Sequence, residues 1–370
     1  MRKLSKADEA ALIRLTTALI DQRRARTIVA PHADAAGFWF GGGNMIQAAD
    51  GTLLLVGRYR DAGDSRLGLA SGRRGWKLSV MRAGSIEDPF EEAIAFTKAN
   101  LGVEGRDVLS IEGAALRLTT HGTVELFVSS EKTGIAYPEG LEDFLKPGAG
   151  VWTIEQLEAP TLEGLANGPV RTILQSADPR FLHVKDPFLY DLDGANLKLL
   201  FCSHPYCWTS SNSGVAGMHA GEVVPGSVVY DFFPRGVTWD VAMTRATCVV
   251  DVPQLGRFRH HKVSLIFYDG GEAVRNLQEH TKAVKRPRGY SCEELGGAGY
   301  IVDGDFSSIH RLSVLRPLFV SPWGTGCSRY VDVLSTNQGL IATWQQSQVN
   351  HSQPLVMNFL YREELDRLLQ

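Results

Sequence analysis

Five stretches of the chain repeat one arrangement: an apolar inner segment, a polar turn, and a second apolar run ending in polar or charged residues. They are GGGNMIQAADGTLLLVGRYRD, IEGAALRLTTHGTVELFVSSEK, KDPFLYDLDGANLKLLFCSHP, the looser WDVAMTRATCVVDVPQLGRFRHHKVSLIFYDGG, and SRYVDVLSTNQGLIATWQQSQ. The second runs begin near Thr52, Thr123, Asn196, Lys262 and Gly339, so the unit recurs roughly every 65 to 77 residues. Asp50-Gly51, His121-Gly122 and Asp193-Gly194 supply the residues that tight hairpin turns require. Hairpins at this spacing predict an all-β fold of radially repeated sheets, a five-bladed β-propeller with helical and loop insertions between its blades. A two-sheet sandwich would repeat hairpins as well, but without a common axis.

Outside the repeats, Ser5 to Arg26 carries apolar residues near helical spacing, which predicts a helix. Residues 1–30 therefore form an N-terminal helical decoration and 31–370 a single propeller. Ser85-Ile86-Glu87-Asp88 has the S-x-x-D capping form with Pro89 after it, which predicts a second helix ending at Leu101-Gly102. A third, short helix is expected from Arg362 to Leu369. With 44% hydrophobic and 21% charged residues, the chain has ample material for a core. A net charge of -3 argues against nucleic-acid or membrane-surface binding. Met1-Arg2-Lys3 leads into an amphipathic segment, not an apolar one, and the five cysteines show no CxxC spacing. A cytoplasmic protein with reduced thiols, no metal and no cofactor is the expectation; oligomeric state leaves no mark in the sequence.

In a propeller, the starts of the innermost strands gather at one mouth of the central channel. The repeats place Gly41-Gly42-Gly43-Asn44, Glu112, Asp186 and Ser328-Arg329-Tyr330 there. Blade four contributes Asp240, or Thr244 and Arg245 if its long turn shifts the register. Lys185-Asp186-Pro187 is an unusual way to open a hairpin, because proline cannot donate to the ladder and belongs at a strand start or edge. Two carboxylates converging on a cleft, Glu112 and Asp186, are what glycosidic cleavage uses: one gives the leaving group a proton, the other activates water or attacks. Glu294 and Asp240 are further carboxylate candidates. Solvated turn carboxylates or ion pairs would look the same in sequence. Second-strand ends add Arg58, Tyr59, Arg60 and Asp61, then Ser203 and His204, Tyr268 and Asp269, and Gln345. Asn44, Arg58, His204, Arg245, His261, Arg329 and Tyr330 are the expected substrate contacts. His260-His261 lacks further ligands at metal spacing. The segment Lys282 to Tyr300 suits an insertion covering a mouth.

Three stretches carry a resemblance to the five-bladed propeller glycoside hydrolases, among them the arabinanase and β-xylosidase, fructan-cleaving and mannoside phosphorylase families. Val184-Lys185-Asp186-Pro187-Phe188 resembles the Asp-Pro that opens a blade in those enzymes. Ile111-Glu112-Gly113-Ala114 resembles their Glu-Gly motif carrying a general acid, and Arg58 to Gly72 resembles their first-blade Ser-x-x-Gly-x-Ala-Ser stretch. The resemblance implies a glycosidase acting on a small oligosaccharide or glycoside, with Glu112 as acid and Asp186 as base or tuning carboxylate. It departs from the family pattern in two ways. The blade-one aspartate that serves as base is replaced by Gly-Gly-Gly-Asn44, and Glu precedes Asp along the chain. The base therefore stays open among Asp186, Asp240 and Glu294. Phosphorolysis in the same pocket and a non-catalytic carbohydrate-binding propeller remain alternatives.

Overall fold

The computed structural model describes residues 3–62, 73–103, 105–145, 147–192, 196–273 and 294–370. Five antiparallel sheets form the blades. Their second strands start at Leu53, Val124, Leu197, Val263 and Gly339, within a residue of the positions the turns predict. The innermost strands are Trp39–Gly41 with Met45–Gln47, Val108–Leu118, His183–Asp191, Met243–Asp251 and Ser328–Thr336. Each touches the innermost strand of the next blade, and the fifth returns to the first, so the ring is closed. The Asp193-Gly194 turn, Cys292 and Glu293 lie outside the described residues, as do most of the Lys282–Tyr300 insertion and of the Arg58–Gly72 stretch.

The core lies between blades. Phe127, Ile154, Leu199 and Phe201, all 0% exposed, fill the seam between blades two and three. Burying a side chain of this size contributes about 1.5–3 kcal/mol. Nearer the axis, hydrogen bonds stitch neighbouring blades: Ala114 N–H donates to the Gly42 carbonyl (2.9 Å) and Met45 N–H to Asp332 Oδ2 (2.8 Å).

The last blade is a composite. Its outer strand is Arg26–Val29, which pairs with Leu355–Tyr361 near the C-terminus. The strand thus lies inside the stretch expected as decoration and joins the two ends of the chain in one sheet. The helix before it, Lys6–Leu19, is N-capped by Ser5, whose hydroxyl accepts from Asp8 N–H. Its buried face (Ala11, Leu12, Leu15, Leu19) packs on Phe258 and Val302 of blade four and Val356 and Leu360 of blade five. Asn358 Nδ2 donates to the carbonyls of Ala18 and Leu19, two orphan acceptors at the helix end. A helix at Arg362–Leu368 matches expectation. No helix among the described residues is long and apolar enough to cross a membrane.

The helix expected from Ser85 is absent. Ser85 and Asp88 do form the capping contact, with Oγ donating to Oδ2 at 2.9 Å. However, the chain then enters the strand Glu91–Thr97, outermost in blade one, followed by a 3₁₀ turn at Lys98–Leu101. The open edge of Arg73–Ala83 offered Glu91–Thr97 a full ladder, and Phe96 is fully buried against it. Tertiary pairing overrode a local signal, as it routinely does.

Candidate active site at the propeller mouth

Every innermost strand loses register close to its start. The ladder skips between Ile111 and Ala114, Lys185 and Phe188, Ala246 and Cys248, and Arg329 and Asp332. In blade one the strand breaks outright between Gly41 and Met45. Such bulges re-aim side chains and end pairing beside functional sites. Gly42, Asp186 and Tyr330 occupy corresponding places in blades one, three and five, with φ of 76°, 53° and 53°. Glycine adopts this backbone freely; for Asp and Tyr it costs on the order of 1–3 kcal/mol and has to be held by surroundings. Pro187 falls in the unpaired step, where its missing N–H removes no ladder bond. The Lys-Asp-Pro opening is thus a bulge that turns Asp186 off the sheet and toward the axis.

Asp186 is then fixed from several sides. Its Oδ1 accepts the N–H of Gly113 at 2.9 Å, and its own N–H donates to Ser129 Oγ. A Cβ on Gly113 would lie 2.9 Å from the Asp186 Cα, so only glycine lets blades two and three approach this closely. Because Glu112 directly precedes Gly113, this contact brings the two residues together on adjacent blades. Asp186 Oδ2 faces Arg245 Nη1 at 3.5 Å and Lys185 Nζ at 3.8 Å.

Guanidinium groups from three blades interleave with the carboxylates. Arg58 donates to Glu112. Arg245, 2% exposed, reaches Asp269 at 2.7 Å and Glu294 at 3.0 Å besides Asp186. Arg329 also binds Glu294. Tyr330 lies under Arg245, ring centroid to Cζ 4.3 Å, and its hydroxyl accepts from Arg58 at 3.4 Å. Blade four therefore presents Arg245, one of the two registers its long turn allowed. Glu294 comes from the head of that blade's third strand.

These contacts set the protonation states. Burial pushes Glu112 up, but the cations Arg58, Lys185, Arg74 and Arg60 overcome it and hold the carboxyl below its ordinary range. Glu294 likewise feels burial first, then Arg245 and Arg329, and ends lowered. Asp269 goes the other way: burial, reinforced by Glu294 and opposed by Arg245, lifts it to about 6. Burial and the nearby Lys185 bring His183 down to about 3, and His204 falls well below its usual value for the same two reasons first.

Not every expected contact reaches the mouth. His261 is on the turn after Gly256–Phe258, which links Met243–Asp251 to Val263–Gly271 at the end opposite Arg245. Six residues of strand separate Arg245 from Asp251, roughly 20 Å at about 3.3 Å per residue. Asp240 is fully buried behind blade four, where its Oδ2 takes the Arg311 Nε–H at 2.8 Å. Asn44 lines the axial channel, but its amide exchanges two hydrogen bonds with the Leu116 backbone and clamps blade one to blade two. His204 directs Nδ1 at the Ser210 carbonyl (2.9 Å) and Nε2 at Cys202 (3.3 Å), so its polar atoms are occupied behind Lys185. Two contributors carried little sequence signal: Trp39, over which Arg329, Arg58 and Arg60 stack at 4.1, 4.8 and 5.0 Å, and Lys185, which lies between Trp152 and Trp208.

No family model matches the sequence, and no curated protein is similar to it. Solved structures, in contrast, superpose along almost the whole chain. A glycoside hydrolase matches with a TM-score of 0.60 at 9% identity, covering 96% of each chain. An α-L-arabinofuranosidase from Lactobacillus brevis matches at 0.57 and 10% identity, covering 91% of this chain and 93% of its own. A family-43 enzyme from Xanthomonas citri in complex with xylose matches at 0.53 and 11%, covering 96% and 93%. The fold is that of the five-bladed propeller glycoside hydrolases. At such identities the likeness is one of architecture. The mouth of this chain holds Glu112, Asp186 and Glu294 from three blades, each bound by a guanidinium.

Proposed function

We propose that the protein cleaves the glycosidic bond of a small oligosaccharide or glycoside at this mouth. The observation that carries the reading is the convergence of Glu112, Asp186 and Glu294, from blades two, three and four, on one cleft together with Arg58, Arg245, Arg329 and Tyr330. In the cleavage, the bond between the anomeric carbon and the leaving oxygen breaks. The leaving oxygen takes a proton from an acid, and water, deprotonated by a base, adds to the carbon. Glu112 serves as the acid once substrate parts it from Arg58: burial is already the largest influence on it and then raises it toward protonation. Asp186, oriented by the Gly113 N–H and Arg245, is the base or the carboxylate that tunes Glu112. The fold neighbours include arabinofuranosidases, and one holds xylose, so pentosides head the substrate panel.

A second reading is favoured by one feature: Glu112 and Glu294 are both lowered by guanidinium groups, and among the described residues blade one supplies no carboxylate to the mouth cluster. Phosphorolysis needs one catalytic carboxylate fewer, because phosphate itself attacks the anomeric carbon and the product is a sugar phosphate. Product analysis over aryl glycosides and oligosaccharides, with and without phosphate, tests both readings. Turnover that Glu112→Gln and Asp186→Asn abolish supports the site, and dependence on phosphate selects phosphorolysis. Turnover undiminished in both variants would overturn it. A cytoplasmic setting, and with it small imported substrates over polymers, belongs to the same proposal.

A further inference from the structure

Arg60 differs from the other arginines of the mouth. It lies on the second strand of blade one opposite Trp39, two residues from Arg58 and on the same face of the strand. It is 5% exposed, and among the described residues its Nε and Nη2 have no hydrogen-bond partner. These two N–H groups form one edge of the guanidinium, the edge that binds both oxygens of a carboxylate side-on. Leaving two buried donors unmatched is costly, and native structures keep such groups where function needs them.

The charges around it are unbalanced. Its charged neighbours are Glu112 and the cations Arg58, Arg74 and Arg329. Arg58 already binds Glu112, Arg74 binds Glu131, and Arg329 binds Glu294. Burial first, and then the repulsion of the three cations against the pull of Glu112, brings Arg60 down to about 10, which still leaves it charged at neutral pH. Among the described residues, then, each carboxylate named here is already bound to another cation. Arg58 Nε, also unpartnered, adds a further donor nearby.

We infer that Arg60 marks an anionic subsite that takes the carboxylate of an acidic sugar residue in the substrate. The inference rests on the glycosidase reading and specifies its substrate class. A single carboxylate matches the two-donor edge. Inorganic phosphate, with a charge near -1.5 to -2 at neutral pH by analogy with phosphate esters, overfills it. The edge is covered in the protein as it stands, so the ligand displaces a neighbour on entering. Trp39, half-buried, is stacked on the face of the Arg60 guanidinium.

Calorimetry on the full chain tests this without turnover, using D-galacturonate, D-glucuronate, their neutral counterparts D-galactose and D-glucose, and inorganic phosphate. The expected result is at least one uronate binding tenfold or more tightly than its neutral partner. Arg60→Gln should erase that preference and Arg60→Lys retain part of it, with Tm of both variants near wild type. Equal binding of acidic and neutral sugars overturns the inference, as does a preference that survives Arg60→Gln. Binding of phosphate alone, lost in Arg60→Gln, also overturns it in favour of a phosphate site. If Arg60→Gln does not fold, the wild-type ratio and Arg60→Lys decide. An intact uronate preference with no product from any glycoside would sink the glycosidase reading and leave the subsite standing. Turnover of neutral glycosides alone, without the preference, does the reverse.

Discussion

Arg245 and Arg60 occupy the same mouth with the same charge, yet Arg245 meets Asp186, Asp269 and Glu294, while among the described residues the Nε and Nη2 of Arg60 have no partner. Both are buried. Among the described residues, the blade-four side is a network in which Arg245 answers Asp186, Asp269 and Glu294. The blade-one side, around Trp39, keeps donors without acceptors. A buried charge is tolerated when paired and costly when not. One half of the mouth therefore holds the ring together, and the other half keeps an unsatisfied demand that a ligand can meet.

The largest test of this contrast is stability. Arg245→Met should cost about 3–5 kcal/mol in chemical denaturation, because it takes the cation from buried Asp269 and weakens the hold on Asp186 and Glu294. Arg60→Met should be neutral or stabilising, since it removes an unpaired buried charge. Equal losses in the two variants would break the comparison. In activity, Glu112→Gln and Asp186→Asn should each lower kcat by about 10²–10⁴-fold at near-native Tm, the range of general acid–base groups.

Two pH effects sharpen the distinction. Arg58→Met removes the strongest force lowering Glu112, so the ionisation of Glu112 should move to higher pH, read from the acidic limb of kcat/KM. Asp269 has a folded value of about 6 against an ordinary 3.8. A raised carboxyl contributes stability below its unfolded value and loses it as pH rises through the folded one. Wild type should therefore lose stability from Asp269 between about pH 4 and pH 6, and Asp269→Asn should flatten that slope in pH-dependent Tm. Asn44→Ala should cost about 1–3 kcal/mol by orphaning the Leu116 backbone groups. The smallest effect is expected from His261→Ala, which lies at the far end of blade four and should leave kcat/KM unchanged.

The blade repeat was legible because hairpins are local: turn residues and apolar runs lie within about twenty residues of one another, and the five second-strand starts follow from them. The N-terminal helix was legible from its apolar spacing. Its partner strand Arg26–Val29 was not, because four residues carry too little pattern and their ladder partner is over three hundred residues away. The strand Glu91–Thr97 was masked by a genuine capping turn at Ser85. At the mouth, Glu112, Asp186, Arg58, Arg245, Arg329 and Tyr330 converge from the repeated strand ends, and Glu294, a candidate from outside the repeats, joins them. Asp240 and His261 do not, since the long turn of blade four left its register ambiguous.

The sequence by itself determined where the blades and their strand ends fall, because strand alternation and repeat spacing are properties of neighbouring residues. Only the tertiary structure decided how those residues divide their charges. Arg58 and Arg60 are two positions apart on one strand and equivalent by pattern. Arg58 finds Glu112 across 54 residues of chain, while Arg60 is shut in beside Trp39 among cations. Pairing of buried charges depends on distances of a few ångströms between different blades, and those distances exist only once the ring has closed.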